Sequence, residues 1–116
     1  MKALLMSLGL AALLAPAAYA EEVQVKGRRD AVQLKSENFS LHKDFDDSRL
    51  IKEIHYDEAN LYLVYRLKNV YYQRCGVPKK TVDNWIEAES VNNHYKTYIT
   101  NYYSCCDENM PDCEYK

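Results

Sequence analysis

The chain has 116 residues, 15 basic and 17 acidic side chains, a formal net charge of −2 and four cysteines. A chain this short holds one domain with a modest core. Its slight acidity excludes the broad basic footprint of a protein that grips nucleic acid mainly through phosphates.

Met1-Lys2 gives a short positive start, Ala3 to Ala15 is an almost unbroken apolar run, and Ala18-Tyr19-Ala20 ends it in an A-x-A pattern. This is the layout of a secretory signal peptide. The run falls short of the roughly 20 residues that span a bilayer. Residues 1–20 are therefore expected to be cleaved off, leaving a periplasmic or secreted product without a membrane span. The remaining chain carries fourteen basic and seventeen acidic side chains, a formal charge of −3.

Residues 21–47 are the least patterned stretch and read as an N-terminal extension. Val23-Gln24-Val25 and Val32-Gln33-Leu34 alternate briefly, and either fits a short edge strand. Asp44, Asp46 and Asp47 read as a solvated segment, because the glycine and terminal glutamate of a calcium loop are missing.

From Leu50 to Tyr56 the chain is rich in β-branched and aromatic residues, a first strand of the main domain. Asp57 to Asn60 is a polar turn. Leu61 to Leu67 is apolar or aromatic on both faces, which predicts a central strand covered on one side and lined with tyrosines on the other. Lys68-Asn69 is a two-residue turn in which Asn69 can take a left-handed conformation. Val70 to Cys75 is the next strand. Together these predict a three-stranded antiparallel meander.

Gly76-Val77-Pro78 breaks the strand, and Pro78 suits the first turn of a helix. Val82, Trp85 and Ile86 form its apolar stripe, and Ser90 ends it or caps the next helix. Asn92-Asn93 reads as a polar break. Tyr95, Tyr98, Ile99 and Tyr102 then lie at i, i+3, i+4 and i+7, one face of a second helix. The expected fold is α+β, with both C-terminal helices packed on one face of the meander.

Residues 104–116 form a cysteine-rich tail. In an oxidising compartment Cys75, Cys105, Cys106 and Cys113 read as disulfide partners that staple a small core. Direct pairing of Cys105 with Cys106 needs a strained ring. Cys75 is thus expected to join Cys105 or Cys106, and the remaining one to join Cys113. The alternative is a soft-metal site of thiolates with Met110 and His94. The spacing Cys-Cys-x6-Cys matches no zinc pattern, and no metal or cofactor is expected.

Ser48 to Tyr102 resembles the KTSC domain, a short domain found at the C-terminus of some lysyl-tRNA synthetases and as stand-alone bacterial proteins. The matching residues are Ile54 and Tyr56-Asp57, then Leu61 and Val64, and Val70-Tyr71-Tyr72 leading into Gly76-Val77-Pro78. Ala88-Glu89-Ser90, Tyr95, Ile99 and Tyr102 follow at the expected intervals. The family's Tyr-x-Tyr motif keeps its first tyrosine as Tyr72, but Arg74 holds the second position. The resemblance implies a module over residues 48–103, in a family suggested to bind RNA.

Ten of the eleven tyrosines follow the signal segment. Tyrosine joins an apolar ring to a polar tip, which suits recognition surfaces, although most of these rings fit a sheet–helix core. Tyr62, Arg66, Tyr72 and Arg74 are the expected binding residues, on one sheet face if the strands pair in simple register. Catalysis finds little support. Ser48, His55 and Asp57 could be drawn as a triad, but no strained nucleophile motif or oxyanion hole accompanies them. A Cys75–His94 pair would need a free thiol. The expected function is a non-enzymatic binding module for an unknown protein or envelope partner. RNA binding through surface aromatics is an alternative, disfavoured by export and net acidity. Cysteine-based metal binding or an enzyme is another.

Overall fold

The computed structural model describes residues 22–35 and 37–105. The signal segment, Cys106 and Cys113 lie outside the described residues, and so does any bridge between those two cysteines.

Two sheets form. β1 (Glu22–Val23) pairs antiparallel with β2 (Val32–Gln33). The main sheet contains β3 (Leu41–Asp44), β4 (Ile51–Asp57), β5 (Tyr62–Leu67) and β6 (Val70–Cys75), in that spatial order and antiparallel throughout. The α+β class and the β4–β5–β6 meander match expectation. The three-strand count does not, because β3 adds a fourth strand through the pairs Leu41–Tyr56 to Asp44–Glu53. Its sequence, Leu-His-Lys-Asp, lacks a regular apolar alternation because three of its four residues are exposed. The two short alternating runs near the N-terminus pair with each other. The N-terminal segment joins the edge of the main sheet through Val25, in a parallel bridge to Tyr71, followed by a 2.9 Å hydrogen bond from the Lys26 N–H to the Tyr71 carbonyl.

The strand interiors explain why both sheet faces are covered. Ile51, Ile54, Tyr56, Leu63 and Tyr65 point to one face and pack with Val77, Val82, Trp85, Tyr95 and Ile99. Val64 points to the other and packs with Val23, Val25, Val32 and Leu34. The face expected to be open and lined with tyrosines is therefore roofed by the N-terminal hairpin. A β-bulge sits between Ile51 and Glu53. Two residues oppose one there, so Ile51 can join the helix-covered core while Glu53 turns to the hairpin side.

Asp57 caps a 3-10 turn at Glu58–Asn60, accepting from the Asn60 N–H at 3.2 Å. Between β5 and β6 the positive φ falls on Lys68 (57°) and not on Asn69. α1 (Lys79–Glu87) follows, with Pro78 at its N-cap position rather than inside its first turn. The Trp85 indole N–H reaches the Val91 carbonyl at 2.9 Å, tying α1 to the next element.

The second helix is short and changes pitch. α2 (Val91–His94) is capped by the Ser90 hydroxyl and runs into a π-helical turn, Tyr95–Ile99. Asn92 and Asn93 are thus helical and not a break. The Asn92 side-chain oxygen accepts from the Ser48 hydroxyl at 2.8 Å and the Ile51 N–H at 3.0 Å, satisfying a donor at the bulge. The π-turn is closed by a Thr100 N–H to Tyr95 carbonyl bond of 3.0 Å, spanning five residues instead of four. That wider turn breaks the expected four-residue stripe. Tyr95 and Ile99 are buried, whereas Tyr98 and Tyr102 stay 56% and 53% exposed.

Trp85 stands at the centre of the helix–sheet core, edge-on to Tyr65 at 5.4 Å and stacked with Tyr95 at 5.9 Å. Trp85→Ala is expected to lower unfolding free energy by about 3–5 kcal/mol, read from urea denaturation.

Candidate binding surface

Tyr62, Arg66, Tyr72 and Arg74 do not share a face. The Lys68-Asn69 turn has two residues, so Leu67 pairs with Val70, and opposite positions always combine an odd with an even number. Tyr62 therefore faces Cys75 and Arg66 faces Tyr71 on the hairpin side, while Tyr72 faces Tyr65 and Arg74 faces Leu63 on the helix side. The simple-register expectation failed on this parity.

On the hairpin side the central feature is Glu53, whose side chain is 4% exposed. Its carboxylate accepts from His55 Nε2 at 2.8 Å, from Arg66 Nε at 2.5 Å and from the Tyr71 hydroxyl at 3.1 and 3.2 Å. Burial works against the charge, but the His55 hydrogen bond, Arg66 and Tyr71 outweigh it and hold the carboxyl below the usual glutamate value. Burial, then the neighbouring Glu53 charge, pushes the Tyr71 hydroxyl up to about 12. A carboxylate only accepts, so His55 presents an N–H at Nε2. The His42 ring stacks on His55 at 4.7 Å and bonds Asp44 at 2.9 Å.

The triad drawn from Ser48, His55 and Asp57 does not assemble. His55 is held by Glu53, Asp57 caps the turn after β4, and Ser48 bonds Asn92. Cys75 and Cys105 form a disulfide, so the Cys75–His94 pair has no thiol, and Cys105 is the partner chosen from the two open alternatives. Among the described residues no group of three or more His, Cys, Asp or Glu is arranged to hold a metal ion.

The four expected binding residues are engaged inside the domain. The Tyr62 hydroxyl accepts from Arg28 at 3.1 Å and donates to Gln73 at 2.6 Å. Arg66 also reaches the Lys68 carbonyl. Tyr72 stacks on Tyr65 at 5.7 Å with the Lys26 ammonium over its ring. Arg74 donates to the carbonyls of Ile99 and Thr100 at 3.2 and 2.8 Å, capping the last helical turn. Arg74, in the second position of the Tyr-x-Tyr pattern, is thus a helix cap.

A different surface gathers exposed aromatics. Thr81 and Asn84 of α1, His94 at the end of α2, and Tyr98, Tyr102 and Tyr103 line a groove of 610 Å³. His94 packs against the Tyr98 ring at 4.6 Å, and Tyr102 lies 6.3 Å from Tyr103. The Tyr103 hydroxyl sits 3.3 Å from that of Thr81. Tyr103 has a φ of 63°, an outlier for a bulky side chain. Such backbone persists only when its surroundings hold it. Here a 2.7 Å bond from the Cys75 N–H to the Tyr103 carbonyl and the Cys75–Cys105 disulfide clamp the chain at Tyr103 and just after it. Helical spacing alone assigns Tyr98 and Tyr102 to the core. The available signal for a surface was their place directly before the cysteines.

Glu53→Gln removes the anion that neutralises Arg66 and is expected to cost on the order of 3 kcal/mol at neutral pH. Because the folded carboxyl lies below its unfolded value of 4.5, its contribution is present above that pH and fades as pH falls through the folded value. Urea midpoints measured from pH 7 downward should show an acid-side loss in the wild type that Glu53→Gln flattens. Cys75→Ser opens a loop with a sequence separation of 30 and is expected to cost about 3–4 kcal/mol in thermal or urea unfolding.

Residues 47–103 match the KTSC domain family. The crystal structure of a KTSC domain protein from Yersinia pestis is similar, with a TM-score of 0.50 and 25% identity, covering 54% of this chain and 89% of that one. No curated protein matches the chain. β1, β2 and β3 lie before the matched segment. On the family match and this structural likeness, the chain carries a KTSC domain at residues 47–103.

Proposed function

We propose that the protein is an exported, non-enzymatic binding module, and that the groove of Tyr98, Tyr102 and Tyr103 is its recognition surface. The observation that carries this reading is the pair of large aromatic side chains left more than half exposed beside one another's turns, in a domain that buries its other central rings. Tyrosines with few rotatable bonds give contact area at low entropic cost, and these are held in place by His94, Thr81 and the clamped Tyr103 turn.

Export is supported by the N-terminal pattern and by the Cys75–Cys105 bridge, which persists in oxidising compartments. The non-enzymatic part is supported by the use of Glu53, His55, Asp57 and Ser48 in internal hydrogen bonds. A protein or envelope component is the expected partner.

The test uses the oxidised protein without residues 1–20 as bait for envelope extract, beside Tyr98→Ala and Tyr102→Ala. A partner retained by the wild type and lost by both variants is expected, with unfolding free energies within about 0.5 kcal/mol of the wild type because both sites are exposed. A partner retained equally by all three baits overturns the groove as the recognition surface.

A further inference from the structure

The groove's chemistry narrows its ligand, an inference that rests on reading it as the recognition surface. Among the described residues its lining, Thr81, Asn84, His94, Tyr98, Tyr102 and Tyr103, contains no lysine, arginine, aspartate or glutamate. Burial lowers the proton affinity of His94, which works against a positive charge in the groove. A strand of nucleic acid needs cations along its phosphates, and an acidic or basic peptide needs an opposite charge. The lining supplies neither.

It does supply two aromatic side chains more than half exposed, Tyr98 and Tyr102, and a set of neutral donors and acceptors. Aromatic faces carry partial negative charge, which complements the slightly positive C–H faces of pyranose rings. The Asn84 amide both donates and accepts, as do the hydroxyls of Thr81 and Tyr103, matching groups for sugar hydroxyls that are themselves donors and acceptors. The 610 Å³ volume lies within the range of about 300–1,000 Å³ typical of small-molecule sites.

We propose that this groove binds an uncharged glycan, with sugar rings stacked on Tyr98 and Tyr102 and hydroxyls bonded by Asn84, Thr81 and Tyr103. The stacking residues sit on the π-helical turn and just beyond it, with Tyr103 next in the chain, and Thr81 and Asn84 line the same groove from α1. The ligand thus spans two elements whose relative position Trp85 and the Tyr103–Thr81 contact fix.

The test titrates the folded, oxidised protein with chitotetraose and maltohexaose, following backbone amide shifts by NMR. A proline-rich peptide and oligouridylate serve as comparison probes. Saturable shifts at residues 81–84 and 94–103 with at least one oligosaccharide are expected. Tyr98→Ala and Tyr102→Ala should each weaken that binding about tenfold, and Tyr98→Phe should keep it within about twofold because the ring remains. No saturable shift with either oligosaccharide overturns the inference. Shifts at these residues from the peptide or oligouridylate alone overturn the glycan assignment and leave the groove standing as a recognition surface. Saturable shifts confined to another surface overturn both.

Discussion

The arrangement turns on one buried carboxylate. Glu53 sits in the second strand of the sheet and takes hydrogen bonds from His55 on its own strand, Arg66 on the next and Tyr71 on the one beyond. Three donors from three adjacent strands converge on one anion. A buried charge is tolerated only when it is paired and its lone pairs are filled. With that condition met, a sheet face rich in ionisable groups can lie beneath an apolar hairpin. Without it, Arg66 would have to reach for water, and the contact of Val64 with Val23, Val25, Val32 and Leu34 would be undercut.

The two faces consequently divide the work of holding the domain together. One is a polar lattice closed by the N-terminal hairpin. The other is an aromatic core of Tyr65, Trp85 and Tyr95 under the helices. Neither leaves the sheet free to meet a ligand, and the exposed tyrosines collect instead at the end of the helical layer. The Cys75–Cys105 bridge joins the last strand to the segment directly after that layer, so covalent support falls where the apolar contacts run out.

Much of the fold was legible from residue pattern. The strands β4, β5 and β6, the start of α1 and the cap at Ser90 follow from alternation, turn chemistry and helical spacing. The misses have particular causes. β3 lies mostly exposed, so it bears no apolar alternation to read. The bulge at Ile51–Glu53 is visible only as an irregular spacing of Ile51, Ile54 and Tyr56. Alternation within each strand places Tyr62 with Arg66 and Tyr72 with Arg74, and the two-residue turn then puts the two pairs on opposite faces. A regular α-helix would bury Tyr98 and Tyr102 beside Tyr95 and Ile99, and the π-turn that leaves them exposed has no local signature in the sequence. The side-chain roles of Glu53 and Arg74 depend on long-range partners that no local pattern announces.

The bridge between Val25 and Tyr71 has an effect beyond anchoring the hairpin. An open strand edge is a template on which a second chain can add itself and begin a stacked aggregate. Val25 and Lys26 lie along one border of the sheet, and the Tyr103 carbonyl occupies the N–H of Cys75 farther along it. The opposite border is β3, which is short and carries Lys43 and Asp44 exposed. One side is closed by the chain's own backbone and the other is guarded by charge, so neither border offers a long, flat, apolar edge for a second chain to extend.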